Sequence, residues 1–234
     1  DCTDSGSTIC QTSDLINDGT ITGDVTNEAG KEINSVKNTG TIEGSIANSG
    51  RINTLEVSGD IAGGITNNSN IGTFIVNENL TYNGNGSDRI TQALEVAKDK
   101  TLTIGSNGTL SFNSTKGSVN NLGTIAGNLA NVKDSTITNF KNSGTITGNL
   151  YNDGHIDTLT NTGTMGTIYN TSKETIVALD NDKGATIEAV NNTGNINIIT
   201  NDGTINGQIT SQNNSEIQKI LIGENGIVNA KGTL

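Results

Sequence analysis

The segment NSGTITGNLYNDGHIDTLTNTG, residues 142–163, states one short figure twice and begins it again at Asn161: Asn-x-Gly, a variable residue, then an apolar residue. The figure starts clearly at Asn17, Asn38, Asn48, Asn121, Asn142, Asn152, Asn161, Asn192 and Asn201. Weaker relatives start at Asn27, Ser58, Asn67, Asn131, Asn170 and Asn181. Two versions of a half-unit alternate, NTGTIEGSIA at 38–47 and NSGRINTLE at 48–56, and together they make a unit of 19 to 21 residues. Such a unit is too small to bury its own apolar face, so neighbours must stack and share one continuous core.

Helical repeats are excluded by the residue types. Gly, Thr, Asn and Ile dominate the halves, and the apolar residues lie two to four apart between Gly-Asn turns, which suits short strands. Leucine-rich repeats would need a leucine ladder with a helical stretch, and neither is present. The expected fold is therefore all-β: a right-handed parallel β-helix with rungs of 19–21 residues. About eleven rungs at ~4.8 Å each would make a rod on the order of 50 Å long.

One inward column is expected to contain Ile21, Ile42, Ile61, Ile125, Ile146, Met165, Ile187 and Ile205. A second, two residues before each Asn-x-Gly start, is expected to contain Val36, Phe140, Leu159, Val190 and Ile199. Gly19, Gly40, Gly123, Gly144, Gly163 and Gly203 are read as corners with positive φ, and the asparagines as a ladder of amide hydrogen bonds along the axis. In ALEVAKDKTLTIGSNGTLSF, from Ala93, the pairs Leu94/Val96, Leu102/Ile104 and Leu110/Phe112 read as successive strands with altered corners. The text YNGNGSDRITQ shows no inward pattern, so 82–92 is expected to protrude as a loop. The resulting division is a cap at 1–16 and a solenoid at 17–234.

Composition fits a thin core. Only 31% of residues are hydrophobic, against about 45–50% in ordinary globular domains. Disorder is disfavoured because proline is absent, charged residues are 16%, and Ile, Leu and Val recur at regular spacing. A net charge of −11 with 13 basic residues leaves no cationic track for nucleic acid or anionic membrane. The apolar runs fall far short of the ~20 residues that cross a bilayer. Cys2 and Cys10, the only cysteines, suit a small disulfide loop in an exported protein, the other reading being reduced thiols in a cytosolic one. The chain starts at Asp1 with no signal-peptide pattern, as expected where such a peptide has been removed.

The repeats NxGTIxGxIxNxG at 17–67, 121–170 and 181–209, with the phrase KTLTIGSNGTLSF at 100–112, resemble the β-helical passenger domains of Gram-negative autotransporters. That resemblance covers nearly the whole chain. It implies export through the periplasm, passage through a C-terminal outer-membrane barrel outside this sequence, and display at the cell surface. Members of the family include adhesins, self-associating factors, toxins and proteases. The cysteine pair departs from the common passenger pattern.

Catalytic patterns are weak. His155 is the single histidine, beside Asp153 and Asp157, on a short turn where it is poorly placed to be the oriented base of a triad. Zinc would need more His or Cys, and the calcium-binding nonapeptide is missing. Polysaccharide-processing β-helices cluster carboxylates on successive rungs, whereas Asp60, Glu78, Asp134, Glu174, Asp182 and Glu216 are scattered. The Thr column 20, 41, 124, 145, 164, 204 lacks the second threonine of a flat TxT face, which argues against ice binding. No cofactor is expected.

The remaining reading is contact: an adhesin or self-association module that binds a host-cell protein or glycan, or another copy of itself. A glycan-processing or tailspike-like β-helix and a passive spacer are the alternatives. Tyr151 and Tyr169 each follow an inward residue and precede an asparagine start, so strand alternation turns them outward on adjacent rungs. They are read either as a stacked pair that stiffens the face or as a platform for a partner. Tyr82 and Arg89, in the expected loop, form the second candidate binding place.

Overall fold

The computed structural model describes residues 14–105, 108–171, 175–212 and 214–229. The chain is a parallel β-solenoid of about ten turns with rungs about 20 residues apart. Every strand pairing among the described residues is parallel, from Asp14–Asn17 on Ser35–Asn38 to Thr204–Ile205 on Ile227–Val228. The first described strand, Asp14–Asn17, begins in residues assigned above to the cap. Cys2, Cys10 and the rest of that cap, like Glu174 and the terminal AKGTL, fall outside the described residues.

One rung shows how the sequence builds the cross-section. From Asn142 the chain makes a two-residue strand, Thr145–Ile146, turns at Gly148, and forms the three-residue strand Leu150–Asn152. It then turns at Gly154 and runs through the seven-residue strand His155–Asn161. Ile146, Leu150, Asn152, Ile156, Leu159 and Asn161 point inward and are at most 1% exposed. The long strand is bent, with two outward residues, Asp157 and Thr158, between Ile156 and Leu159. Two of the six inward side chains are thus amides, which is why so polar a chain can still have a continuous core.

Stacking turns these positions into columns. The expected first column forms, with Ile21 on Ile42, Ile42 on Ile61, and Ile125 on Ile146, Met165, Ile187 and Ile205 in order. Leu80 and Leu102 carry it through the middle. Val36, Phe140, Leu159 and Ile199 lie in one column of the long strands, together with Leu55, Phe74, Leu94, Val119 and Leu179. Val190 does not belong there. It stacks between Ile168 and Ile209 on the third face, because both half-units end in apolar-x-Asn and the figure alone does not say which corner follows.

The amides form two ladders, one at each such corner. Along one, Asn121, Asn142, Asn161, Asn181 and Asn201 are joined by Nδ2-to-Oδ1 bonds of 2.7–2.9 Å. Along the other, Asn131, Asn152, Asn170 and Asn192 are joined at 2.7–2.8 Å. The N-terminal part of the solenoid repeats the scheme with Asn17 to Asn38, and with Asn27 to Asn48 to Asn67. In every case Nδ2 donates toward the C-terminal neighbour. In most of them, though not in Asn48 or Asn152, Nδ2 also reaches a backbone carbonyl, as Asn142 does to Thr164 O at 3.0 Å. A buried amide with both donors used carries little desolvation cost.

The corner glycines have another cause than the one expected. Gly19, Gly40, Gly123, Gly144, Gly163 and Gly203 do not adopt positive φ; among the described glycines that conformation is confined to Gly30, Gly64, Gly86, Gly108, Gly127 and Gly184. Successive corners instead stack backbone on backbone. A Cβ on Gly144 would fall inside the carbonyl oxygen of Gly123, and one on Gly163 inside that of Gly144. The missing side chain therefore allows close approach between rungs.

Residues 82–92 are not a protruding loop. Leu80–Gly84 and Arg89–Val96 are strands, with a short turn between them. Ordinary rungs set the first two inward positions about four residues apart, as in Ile61 to Ile65, but here Leu80 and Tyr82 are two apart. The corner is deleted, and one straight strand carries both columns: Leu80 aligns with Leu102, while Tyr82 aligns with Ile65 and Ile104. Thr101–Ile104 repeats the device.

Candidate functional site

Leu150 and Ile168 are both fully buried, so the next residues, Tyr151 and Tyr169, stand on the outer surface of the third face. They are register partners on adjacent rungs. Their rings stack with centroids 5.1 Å apart and planes 11° from parallel. The spacing of paired strands is ~4.8 Å, so parallel register alone places the rings in stacking range, and an offset stack of this kind adds about 0.5–1.5 kcal/mol.

The neighbours hold Tyr151 in place. Asn149 accepts a bond from Thr167 N through Oδ1 at 3.0 Å and turns its Nδ2 to the Tyr151 hydroxyl at 3.3 Å. Asn149 N in turn donates to Asn128 Oδ1 at 2.8 Å, which ties this outer corner across three rungs. The outward column containing the tyrosines runs Ser111, Ala130, Tyr151, Tyr169, Asn191, Thr210. Tyr169 is flanked by a ring and by an amide, whereas Tyr151 has only Ala130 on its N-terminal side. Their exposures follow: Tyr151 is 37% exposed and Tyr169 is less so. Ala47 lies in the same face several rungs earlier, between Thr26 and Thr66.

The other candidate pair is placed differently. Tyr82 is 0% exposed, so it presents nothing to a partner. Its ring lies 5.6 Å from that of Phe74. Its hydroxyl accepts from Asn67 Nδ2 and donates to Asp88 Oδ2, each at 2.7 Å. Asp88, 1% exposed, also accepts from Gly86 N at 2.9 Å. The tyrosine thus ends an amide ladder with a hydroxyl and a carboxylate. Burial first, and then the Asp88 charge, push the phenol far above its ordinary range, so it stays a neutral donor. Arg89 folds back on the turn, donating from Nη1 to Gly86 O and Asp88 O at 2.8 and 2.6 Å. The sequence signal that would have found this role is the spacing of Leu80 and Tyr82, identical to that of Leu102 and Ile104. Tyr82→Phe keeps the ring and strips Asp88 of a donor, so urea unfolding should show a loss of about 1–3 kcal/mol.

The remaining ionisable groups are dispersed. His155 Nε2 bonds Asp157 Oδ1 at 2.8 Å along its own strand, with both side chains partly exposed. Glu78 pairs with Lys100 at 2.7 Å, and that hydrogen bond holds its carboxyl below the usual range. Asp60 opens a strand of the Thr-Ile face and Glu216 opens the last long strand, while Asp134 and Asp182 lie at turns. Among the described residues no group of three or more His, Cys, Asp or Glu is placed to hold a metal ion. Among the described residues no helix is long and apolar enough to cross a membrane. A cleft of about 390 Å³ opens where Asp60–Ile61 ends its small sheet, lined by Ala62, Gly63, Gly64, Leu80, Thr81 and Thr103 among others; no ionisable side chain lines it.

Comparison with family models, with curated proteins and with solved structures finds no match. What the geometry defines is a class by fold, the parallel β-solenoid, carrying one outward aromatic pair.

Proposed function

We propose that the chain is the rod of a bacterial surface adhesin, of the autotransporter-passenger kind, and that it works by contact without catalysis. The repeat phrasing that resembles such passengers supports the surface assignment, and the solenoid is the architecture that resemblance implies. The observation that carries the contact reading is the Tyr151–Tyr169 stack. Aromatic residues are 3% of the chain, and two of its three tyrosines lie together on an outer face. Aromatic side chains are the residues most enriched where protein surfaces bind strongly.

The test displays the parent and a Tyr151→Ala/Tyr169→Ala variant on the surface of bacteria, and measures attachment to epithelial cells and cell–cell aggregation. The variant should melt within about 2–4 °C of the parent, the shift expected for loss of about 1 kcal/mol in a chain this size. Adhesion or aggregation should fall at least severalfold. Unchanged behaviour in both assays would reduce the stack to a stiffening device and leave a spacer. A control at Lys133 and Asp134, an exposed turn, should leave both assays unaltered.

A further inference from the structure

The stack is open at one end. Each tyrosine covers one face of the other, and Asn191 is the register partner on the far side of Tyr169. The opposite face of Tyr151 looks over Ala130, whose own register partner on the preceding rung is Ser111. Two successive small side chains thus leave a ledge two rungs long, on the order of 10 Å, walled by an aromatic ring standing perpendicular to it. Asn149 fixes the tilt of that ring through its hydroxyl. The wall is therefore preorganised before any ligand arrives.

Building on the contact reading above, we propose that this ledge is a subsite for a neutral glycan. One pyranose ring stacks its C–H face on Tyr151 and rests on Ala130 with Ser111 at its outer face, and, because glycosidic bonds leave a ring at its edge, the linked rings run sideways across the solenoid. The chemistry selects that occupant. The space is one ring thick per rung, so a flat ring continues the stack that Tyr169 began. A net charge of −11 disfavours anionic sugars and nucleotides. Beside Tyr151, Asn128 and Asn149 bring amide groups of the type that hydrogen-bond sugar hydroxyls. A protein side chain would fill the same slot only as a single planar group. A glycan brings a ring edged with hydroxyls that those amides can bond.

The decisive experiment titrates chitohexaose, cellohexaose and maltohexaose, each in turn, into the purified chain, with the ring resonances of Tyr151 and Tyr169 as the readout. At least one should move the Tyr151 ring signals more than those of Tyr169, with a dissociation constant in the millimolar to micromolar range. Ala130→Leu fills the ledge while keeping both tyrosines and should weaken that binding at least tenfold. Ser111→Leu narrows the outer side of the slot and should weaken binding of the hexasaccharide and of its disaccharide alike. Tyr151→Phe, which keeps the stacking face, should retain most of it. Binding that survives Ala130→Leu would overturn the proposal, as would the absence of any response to all three sugars. If no sugar binds while the tyrosine double variant still loses cell adhesion, the glycan subsite is wrong and the contact reading stands. If adhesion is also unchanged, both fail.

Discussion

Ile146→Asp should leave the rod unable to complete its middle rungs. Ile146 is 1% exposed and sits between Ile125 and Met165, with no described cation lining the column around it. A carboxylate there meets only apolar neighbours. It must either ionise in a medium that cannot solvate it or take up a proton and still lack partners, at a cost of several kcal/mol. Because stability in a solenoid is a sum over neighbouring rungs, the loss should appear as a new low-temperature transition as well as a lowered main one. Calorimetry of the variant checks it. A melting curve superimposable on the parent would refute the column.

Asn142→Ala should be the next most damaging single change. Asn142 receives Asn121 Nδ2 at 2.7 Å, donates to Asn161 Oδ1 at 2.8 Å, and supports Thr164 O. Truncation strips Asn161 of its donor, Asn121 of an acceptor, and leaves a void. Each unsatisfied buried amide group costs about 1–3 kcal/mol, so the total should reach about 2–5 kcal/mol. The molecule already contains part of that penalty. Asn121 Oδ1 and Asn131 Oδ1, where two ladders begin, are buried without a partner, because Val96 and Phe112 precede them in register. Replacing Val57, Val76 and Val96 together by asparagine would join Asn38 to Asn121 through one unbroken ladder. That triple variant should unfold at higher urea than the parent, whereas Val96→Asn alone only moves the orphaned oxygen by one rung.

These residues also show where sequence reading succeeds. The Ile column was legible because every member follows Gly-Thr or a near relative, and a buried position in a stack admits little else. The amide ladders were legible for the same reason. Val190 was misplaced because two different corners share one local pattern, and only register across rungs separates them. The glycine corners were found, but with the wrong cause: φ is a property of one residue, while the contact between Gly123 and Gly144 belongs to two rungs, and no window along the chain contains both. Tyr82 was read as a loop residue because its rung dispenses with the corner that marks most others. Tyr151 and Tyr169 were legible as outward residues by alternation, although the ring tilt set by Asn149 was not.

The paired ladders also bear on how such a rod could change length by inheritance. Loss or duplication of a half-unit would bring an apolar-x-Asn end from one corner over the wrong strand of the next rung, and every later amide would face an unsuitable partner. Loss or duplication of a whole unit returns each amide to its own ladder, each isoleucine to its own column and each corner glycine beneath another. Recombination between near-identical repeats is therefore filtered by the fold into whole-unit steps. Each step alters the reach of the rod by ~4.8 Å and leaves the surfaces on either side of the event as they were.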